Sequence, residues 1–298
     1  MVRVPSPRSY WPLRLPYQEC GDCKGLQKDD KLWEEERAFE LADRVEKGTA
    51  REIEAEYSTP LRRSQRLFRF HVERSDDRCH YRLFSEDGSF VMYAKASPTA
   101  WRVDFLLYDP QDQDCQPDDM RKPAFAMTGQ KDGTEWTVCQ ERCERCQLSP
   151  WRTSCAGRGR QQVAHIRHAQ EEFDGDLVNS MEIRLPGANQ DGSQVLWCPL
   201  LGRGDLANAP EEEIGYEVRR LVARTPEWNG DCDGLELPFR DREVLASAKN
   251  FMLGPESRPE QVACQHGKLG PNTFALDFRY PMSVVQAFAV SISTMLYV

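Results

Sequence analysis

The last seventeen residues, Met282–Val298, read MSVVQAFAVSISTMLYV and carry no charge, no glycine and no proline. Pro281 before them suits the first turn of a helix. A helix that is apolar on every side has to be covered on every side. A bilayer could cover it, but a membrane span takes about 20 apolar residues. This segment is shorter and has no charged flank behind it. The simplest cover is protein, so the rest of the chain is expected to build a wall around a C-terminal plug. Order along the chain suits this, with the wall preceding the plug. A C-terminal tail anchor is the competing reading.

The middle of the chain supplies material for such a wall. After Pro60, short β-rich runs follow one another, each closed by turn residues. The candidates are 67–72, 79–84, 90–95, 101–108, 124–128, 163–168, 177–185, 194–198, 215–222, 235–239, 244–252, 261–266 and 273–278. In Trp101-Arg102-Val103-Asp104-Phe105 the apolar side chains alternate onto one face. So many runs without a long helix between them predict an antiparallel all-β barrel or sandwich. Ahead of them, residues 1–30 are Pro-rich and then polar, and are expected to be irregular. Residues 31–57 predict an amphipathic helix, with Leu32, Phe39, Ala42, Val45 and Ile53 on its apolar stripe. That stripe is expected to pack on its own domain, with a protein partner as the other possible occupant.

Charge narrows the function classes. Thirty-nine Lys and Arg against forty-eight Asp and Glu give a net charge of −9 in 298 residues. A nucleic-acid binder needs a positive face, so no nucleic-acid partner is expected. Eleven cysteines are an odd count, and no apolar leader is visible at the N-terminus. Mostly free thiols in a reducing compartment are therefore expected. Enzyme signatures such as G-x-S-x-G, H-E-x-x-H and a P-loop are missing from the sequence, and neither catalysis nor a cofactor is expected.

Three stretches carry a family resemblance. Phe239-Arg-Asp-Arg242 through Ala246-Ser-Ala-Lys249-Asn250-Phe251 resembles F-x-G-R-V-x-x-A-S-V-K-N-F. Gln265-His-Gly267-Lys268 with Phe274-Ala-Leu-Asp277-Phe278-Arg-Tyr280-Pro281 resembles Q-F-G-[RK] … F-x-M-D-[YF]-x-Y-P, and Gln286-Ala-Phe-Ala-Val290 resembles Q-A-F-A-I. Thr225-Pro-Glu-Trp228-Asn229 echoes T-P-x-W-N. These are marks of the tubby-like proteins, and the resemblance runs from about Phe68 to the end. It implies a closed antiparallel barrel of about a dozen strands around a hydrophobic C-terminal α-helix, which agrees with the wall and plug. The expected organisation is an N-terminal segment with its amphipathic helix over 1–60 and a barrel domain over 61–298. The family's F-x-x-K-x-A-C-E tail is replaced here by Ser293–Val298.

The resemblance also implies a role at membranes. Tubby domains bind phosphoinositide headgroups, notably the 4,5-bisphosphate, on a basic barrel surface, and act as adaptors at the cytoplasmic face of the plasma membrane. Some reach cilia or the nucleus. A bisphosphate needs cations fixed on rigid strands. The family's G-K-x-R strand corresponds to 91–97, where Lys95 is the basic residue, and Arg102 lies just beyond. Arg121 matches the headgroup arginine of L-R-x-E-L-A-A, and His80 falls at the polar position before the family's Y-L-I-S strand. The implied lipid-binding set is therefore Lys95, Arg121, Arg102 and His80. The basic loop ahead of that strand is replaced by Glu73-Arg-Ser-Asp-Asp-Arg78, which should weaken attraction to anionic lipid. The alternative function is a soluble interaction scaffold with a decayed pocket.

Residues of about 129–175 have no counterpart in the typical family domain and read as a Cys-rich insertion. Cys139, Cys143, Cys146 and Cys155, followed by His165 and His168, could supply a tetrahedral zinc site. The spacing fits no standard pair of knuckles, and free thiols on a surface insertion are the other reading.

Overall fold

The computed structural model describes residues 50–61, 66–110, 121–141, 161–173, 175–187, 195, 197–198, 205–210, 218–229, 234–239, 242–258 and 260–297. Its elements run α1 (Ala50–Ser58), β1 (Phe68–Arg74), β2 (His80–Ser85), β3 (Phe90–Ser97), β4 (Arg102–Leu106), β5 (Phe125–Gly129), β6 (Glu135–Gln140), β7 (Gln161–Phe173) and β8 (Asp176–Pro186). They continue as β9 (Val218–Ala223), β10 (Glu227–Asn229), β11 (Gly234–Glu236), β12 (Phe251–Pro255), β13 (Cys264–Lys268), β14 (Thr273–Phe278) and α2 (Val284–Leu296). Among the described residues twelve strands close into one antiparallel barrel, in the order β1-β14-β13-β12-β9-β8-β7-β6-β5-β4-β3-β2. Strands β10 and β11 form a separate two-stranded ribbon.

Helix α2 fills the barrel. Val285, Ala287, Phe288, Ala289, Val290 and Ile292 have no exposed surface. The wall meets them with inward residues such as Leu83, Phe105, Met127, Ile166, Leu253 and Leu276. Closing the barrel removes the sheet edges, and the plug removes the void that a ring of twelve strands would otherwise leave. Most of the polar groups on α2 are hydrogen-bonded inside, although the buried Ser291 hydroxyl has no partner among the described residues. The Gln286 carbonyl accepts from the Ser283 N–H at 2.8 Å, and its amide donates to the Val163 carbonyl at 2.7 Å. The hydroxyls of Ser293 and Thr294 both donate to the Val290 carbonyl. No helix among the described residues is long and apolar enough to cross a membrane.

Helix α1 packs at the end of the barrel where α2 begins. Ile53 and Tyr57 are buried in the common core, and the Tyr57 hydroxyl donates to the Val91 carbonyl at 3.1 Å. The apolar stripe thus reaches its own domain at Ile53, so α1 shares the core of a barrel expected to begin at residue 61. Residues 31–49 of the expected helix lie outside the described residues.

Three sequence readings change. Strands β6 and β7 stand within 129–175, so much of that range is barrel wall; residues 142–160, between the two strands, lie outside the described residues. The run 235–239 contributes only β11, outside the barrel, because its short apolar stretch has a partner in β10 rather than in the wall. The run 244–252 becomes strand only from Phe251, after a loop that folds across β13 and β14.

One glycine marks how closely the wall is packed. A Cβ on Gly254 would stand 2.2 Å from the Gln261 carbonyl oxygen, which is main chain. Gly254→Ala is therefore expected to cost about 1–3 kcal/mol, because backbone has to shift. A urea midpoint within error of the parent would refute this.

Candidate functional site

The outer face of β2, β3 and β4 carries three of the four expected lipid-binding residues. Register places His80 opposite Lys95, and Lys95 opposite Asp104. Directly paired residues share a face, so these three form one row across the strands. Two positions away along the strands lie Ser97 and Arg102 on one side, and Arg82, Tyr93 and Leu106 on the other. Trp101, held at φ 49° and packed beside Trp136, turns the chain into β4 and so fixes where Arg102 projects.

Lys95 is exposed and stands between His80 and Asp104. Arg102 is held by carboxylates: its guanidinium lies 2.6 Å from Asp104 and 3.0 Å from Glu141. Burial works against that charge, yet the bonds to Asp104 and Glu141 outweigh it and raise the guanidinium's pKa further. His80 contacts the Tyr93 hydroxyl through Nδ1, and its Nε2 lies 3.5 Å from Asp77. Arg82 bonds Asp109 at 2.9 Å and lies over the Tyr93 ring. The strip is thus a mixed surface in which Asp77, Asp104, Asp109 and Glu141 meet the cations. Arg121 is exposed but lies elsewhere. It precedes β5, beyond the Phe105–Phe125 pair, whereas Arg102 lies at the other end of those strands opposite Thr128. The fold brings His80, Lys95 and Arg102 together and leaves Arg121 apart from them.

Asp104 was legible as a neighbour, since Arg102 and Asp104 are two apart on a strand and share a face. Glu141 was not. It lies 39 residues from Arg102 and arrives only through the pairing of β4, β5 and β6.

The two histidine candidates do not converge. Cys139 is a partly exposed cysteine on β6, while Cys143, Cys146 and Cys155 lie outside the described residues. His165 faces outward, 3.5 Å from the Thr137 hydroxyl. His168 points into the barrel, with Nε2 3.0 Å from the Ser293 hydroxyl and its ring stacked on Tyr297. Two histidines on opposite faces of one strand cannot share a metal ion. No group of metal-ligating side chains forms among the described residues.

The motif residues instead meet in two structural clusters. Arg242 reaches across from the loop after β11 and grips Asp277 with both Nε and a terminal nitrogen, at 3.0 and 2.6 Å. The Gln265 amide donates to the same carboxylate at 2.8 Å, and Asp277 is 1% exposed. At the far end of α2, Lys249 donates to the Tyr297 carbonyl and lies over the Tyr297 ring. Its neighbour Asn250 donates to the Leu245 carbonyl and accepts from the Lys268 N–H, tying the loop to β13.

The Tub family model matches residues 57–296. Among curated proteins, protein king tubby 2 of Aedes aegypti is 33% identical over 115 residues, 39% of this chain and 28% of its own length. Tubby-related protein 3 of Homo sapiens is 27% identical over 139 residues, 47% of this chain and 31% of its own. Tubby protein homolog 1 of Caenorhabditis briggsae is 27% identical over 140 residues, 45% of this chain and 33% of its own. The matched region spans about a third or less of each relative.

Proposed function

The chain belongs to the Tub family, and from that premise we propose that it is a non-enzymatic phosphoinositide-binding adaptor, peripheral at the cytoplasmic face of the plasma membrane. The observation that carries this reading is the outer-face row in which exposed Lys95 stands beside His80, with Arg102 two positions away. Cations fixed on neighbouring strands can converge on one bisphosphate without first ordering a loop. Arg121 and Lys122, exposed before β5, add attraction to an anionic surface from a second point. Asp104 and Glu141 oppose this, and a phosphate would have to compete with them for Arg102.

That competition favours a second reading, a soluble interaction scaffold in which Arg102 serves the fold and the barrel presents protein-binding surfaces. Co-sedimentation with vesicles separates the two. Lipid binding predicts enrichment on vesicles containing phosphatidylinositol 4,5-bisphosphate over phosphatidylcholine alone. Each basic residue near the surface contributes about 1 kcal/mol, so Lys95→Glu should weaken partitioning by about fivefold or more. Arg121→Glu should do likewise. Equal partitioning of the parent protein onto both vesicle types would leave the scaffold reading standing.

A further inference from the structure

Strands β7 and β8 run well past their neighbours. Pairing of β7 with β6 ends at Arg167, and pairing of β8 with β9 ends at Glu182, yet β7 and β8 stay paired to Phe173 and Asp176. The hairpin therefore projects from the barrel rim as a two-stranded ribbon. The His168 N–H donates to the Thr134 carbonyl at 2.7 Å, the last hold of the neighbouring turn on β7. Main-chain groups of alternate residues point to the same side of an antiparallel strand. The N–H and C=O of Gln170 and Glu172 consequently face an edge that no strand covers among the described residues. On the other side, the Asn179 amide donates to the Ala248 carbonyl, so the β8 edge is partly occupied.

An open edge is a template for another strand. Its side chains say which kind. Glu171 and Glu172 are both exposed and, being consecutive, lie on opposite faces. Phe173 and Leu177 are exposed at 37% and 71% and also lie on opposite faces. Glu171 and Phe173 thus share one face of the ribbon, and Glu172 and Leu177 the other. Residues 170–179 include four acids and no Lys or Arg. A second copy pairing antiparallel along this edge would set glutamates against glutamates, which is unfavourable.

We infer that the β7 edge is a docking site for an extended segment of a basic partner protein, added as a strand. The segment's pattern is specific: two consecutive Lys or Arg residues to meet Glu171 and Glu172, adjoining two consecutive apolar residues of which the nearer covers Phe173; Leu177 lies on β8, across β7 from the open edge. Main-chain bonds to Gln170 and Glu172 hold the strand, and the side chains of Glu171, Glu172 and Phe173 select it. This inference does not depend on lipid binding, since the ribbon is remote from Lys95 in sheet order, four strands away.

Two fluorescein-labelled eight-residue peptides test it with the full chain, Ser-Thr-Lys-Arg-Ile-Val-Thr-Ser and Ser-Thr-Ile-Val-Lys-Arg-Thr-Ser, read by fluorescence anisotropy. One order suits parallel addition and the other antiparallel. Saturable binding of one or both is expected. Gln170→Pro removes a donor from the open edge but none from the β7–β8 ladder, so it should weaken binding at least tenfold with an unchanged thermal melt. The Glu171→Lys/Glu172→Lys pair should do the same. Absence of saturation with both peptides, or binding indifferent to these changes, overturns the inference. A concentration-dependent dimer in sedimentation that Gln170→Pro dissolves would also overturn it, in favour of a second copy.

Discussion

Replacing Asp277 by alanine is expected to lower the stability of the barrel by about 3 kcal/mol or more. Breaking a buried ion pair leaves an uncompensated charge, which typically costs about 3–5 kcal/mol. Arg242 keeps 17% of its side chain exposed, so the lower part of that range applies. The same change also orphans the Gln265 amide, which donates to the Asp277 carboxylate. A matched apolar pair, Asp277→Leu with Arg242→Met, removes both charges at once and should recover much of the loss. Urea unfolding of the two single variants and the double variant measures the coupling directly. Additive losses would show that Arg242 and Asp277 act independently, against this geometry.

The second large effect is acid sensitivity. His266 is fully buried and stacked between Phe251 and Phe274, and burial pushes its pKa down to about 4. His168 is pushed to about 4 as well, by burial and then by the nearby Lys249 charge. In the unfolded chain both imidazoles take up protons as pH falls below about 6.5. In the folded chain they do so only near pH 4. The unfolded state therefore binds more protons in this window, and stability falls as pH drops from about 6.5 to 4. Each histidine accounts for about 3 kcal/mol by the lower end of the window. His165 and His71 are displaced in the same direction, chiefly by burial, and add to the trend. Urea unfolding at pH 7, 5.5 and 4.5 reads the slope. His266→Phe keeps an aromatic ring in the stack and should flatten the slope by one proton, whatever its baseline stability. A slope unchanged by that variant would remove His266 from the account.

Much of the fold was legible because it rests on periodicity. The uncharged run of α2 demanded a complete cover, and the alternating runs supplied strands to make it. The boundaries that failed are those set by tertiary pairing. Nothing local in 235–239 says that its partner is β10 rather than the barrel, and nothing in 244–251 says that a loop will cross β13 before β12 begins. Strand β6 was hidden for a related reason. Glu135-Trp-Thr-Val-Cys-Gln140 alternates well enough for a strand, but its Cys139 also fits a metal-ligand spacing with the cysteines that follow it. The site was half legible. Alternation places Arg102 beside Asp104, and motif correspondence finds Lys95 and His80. Charge balance depends on Glu141 and Asp109, which come from other strands or from loops, and no spacing rule announces them.

The pairing of β1 with β14 has a consequence for the making of the protein. Arg74 and Asn272, joined across that pairing, are 198 residues apart. At about 5–20 residues per second, a ribosome needs about 10–40 s to deliver the second partner after the first. Throughout that interval the growing sheet has raw strands at both margins and an empty apolar interior. The nascent chain is then most open to aggregation and to chaperone capture, a vulnerability that ends when the ring shuts around its helix.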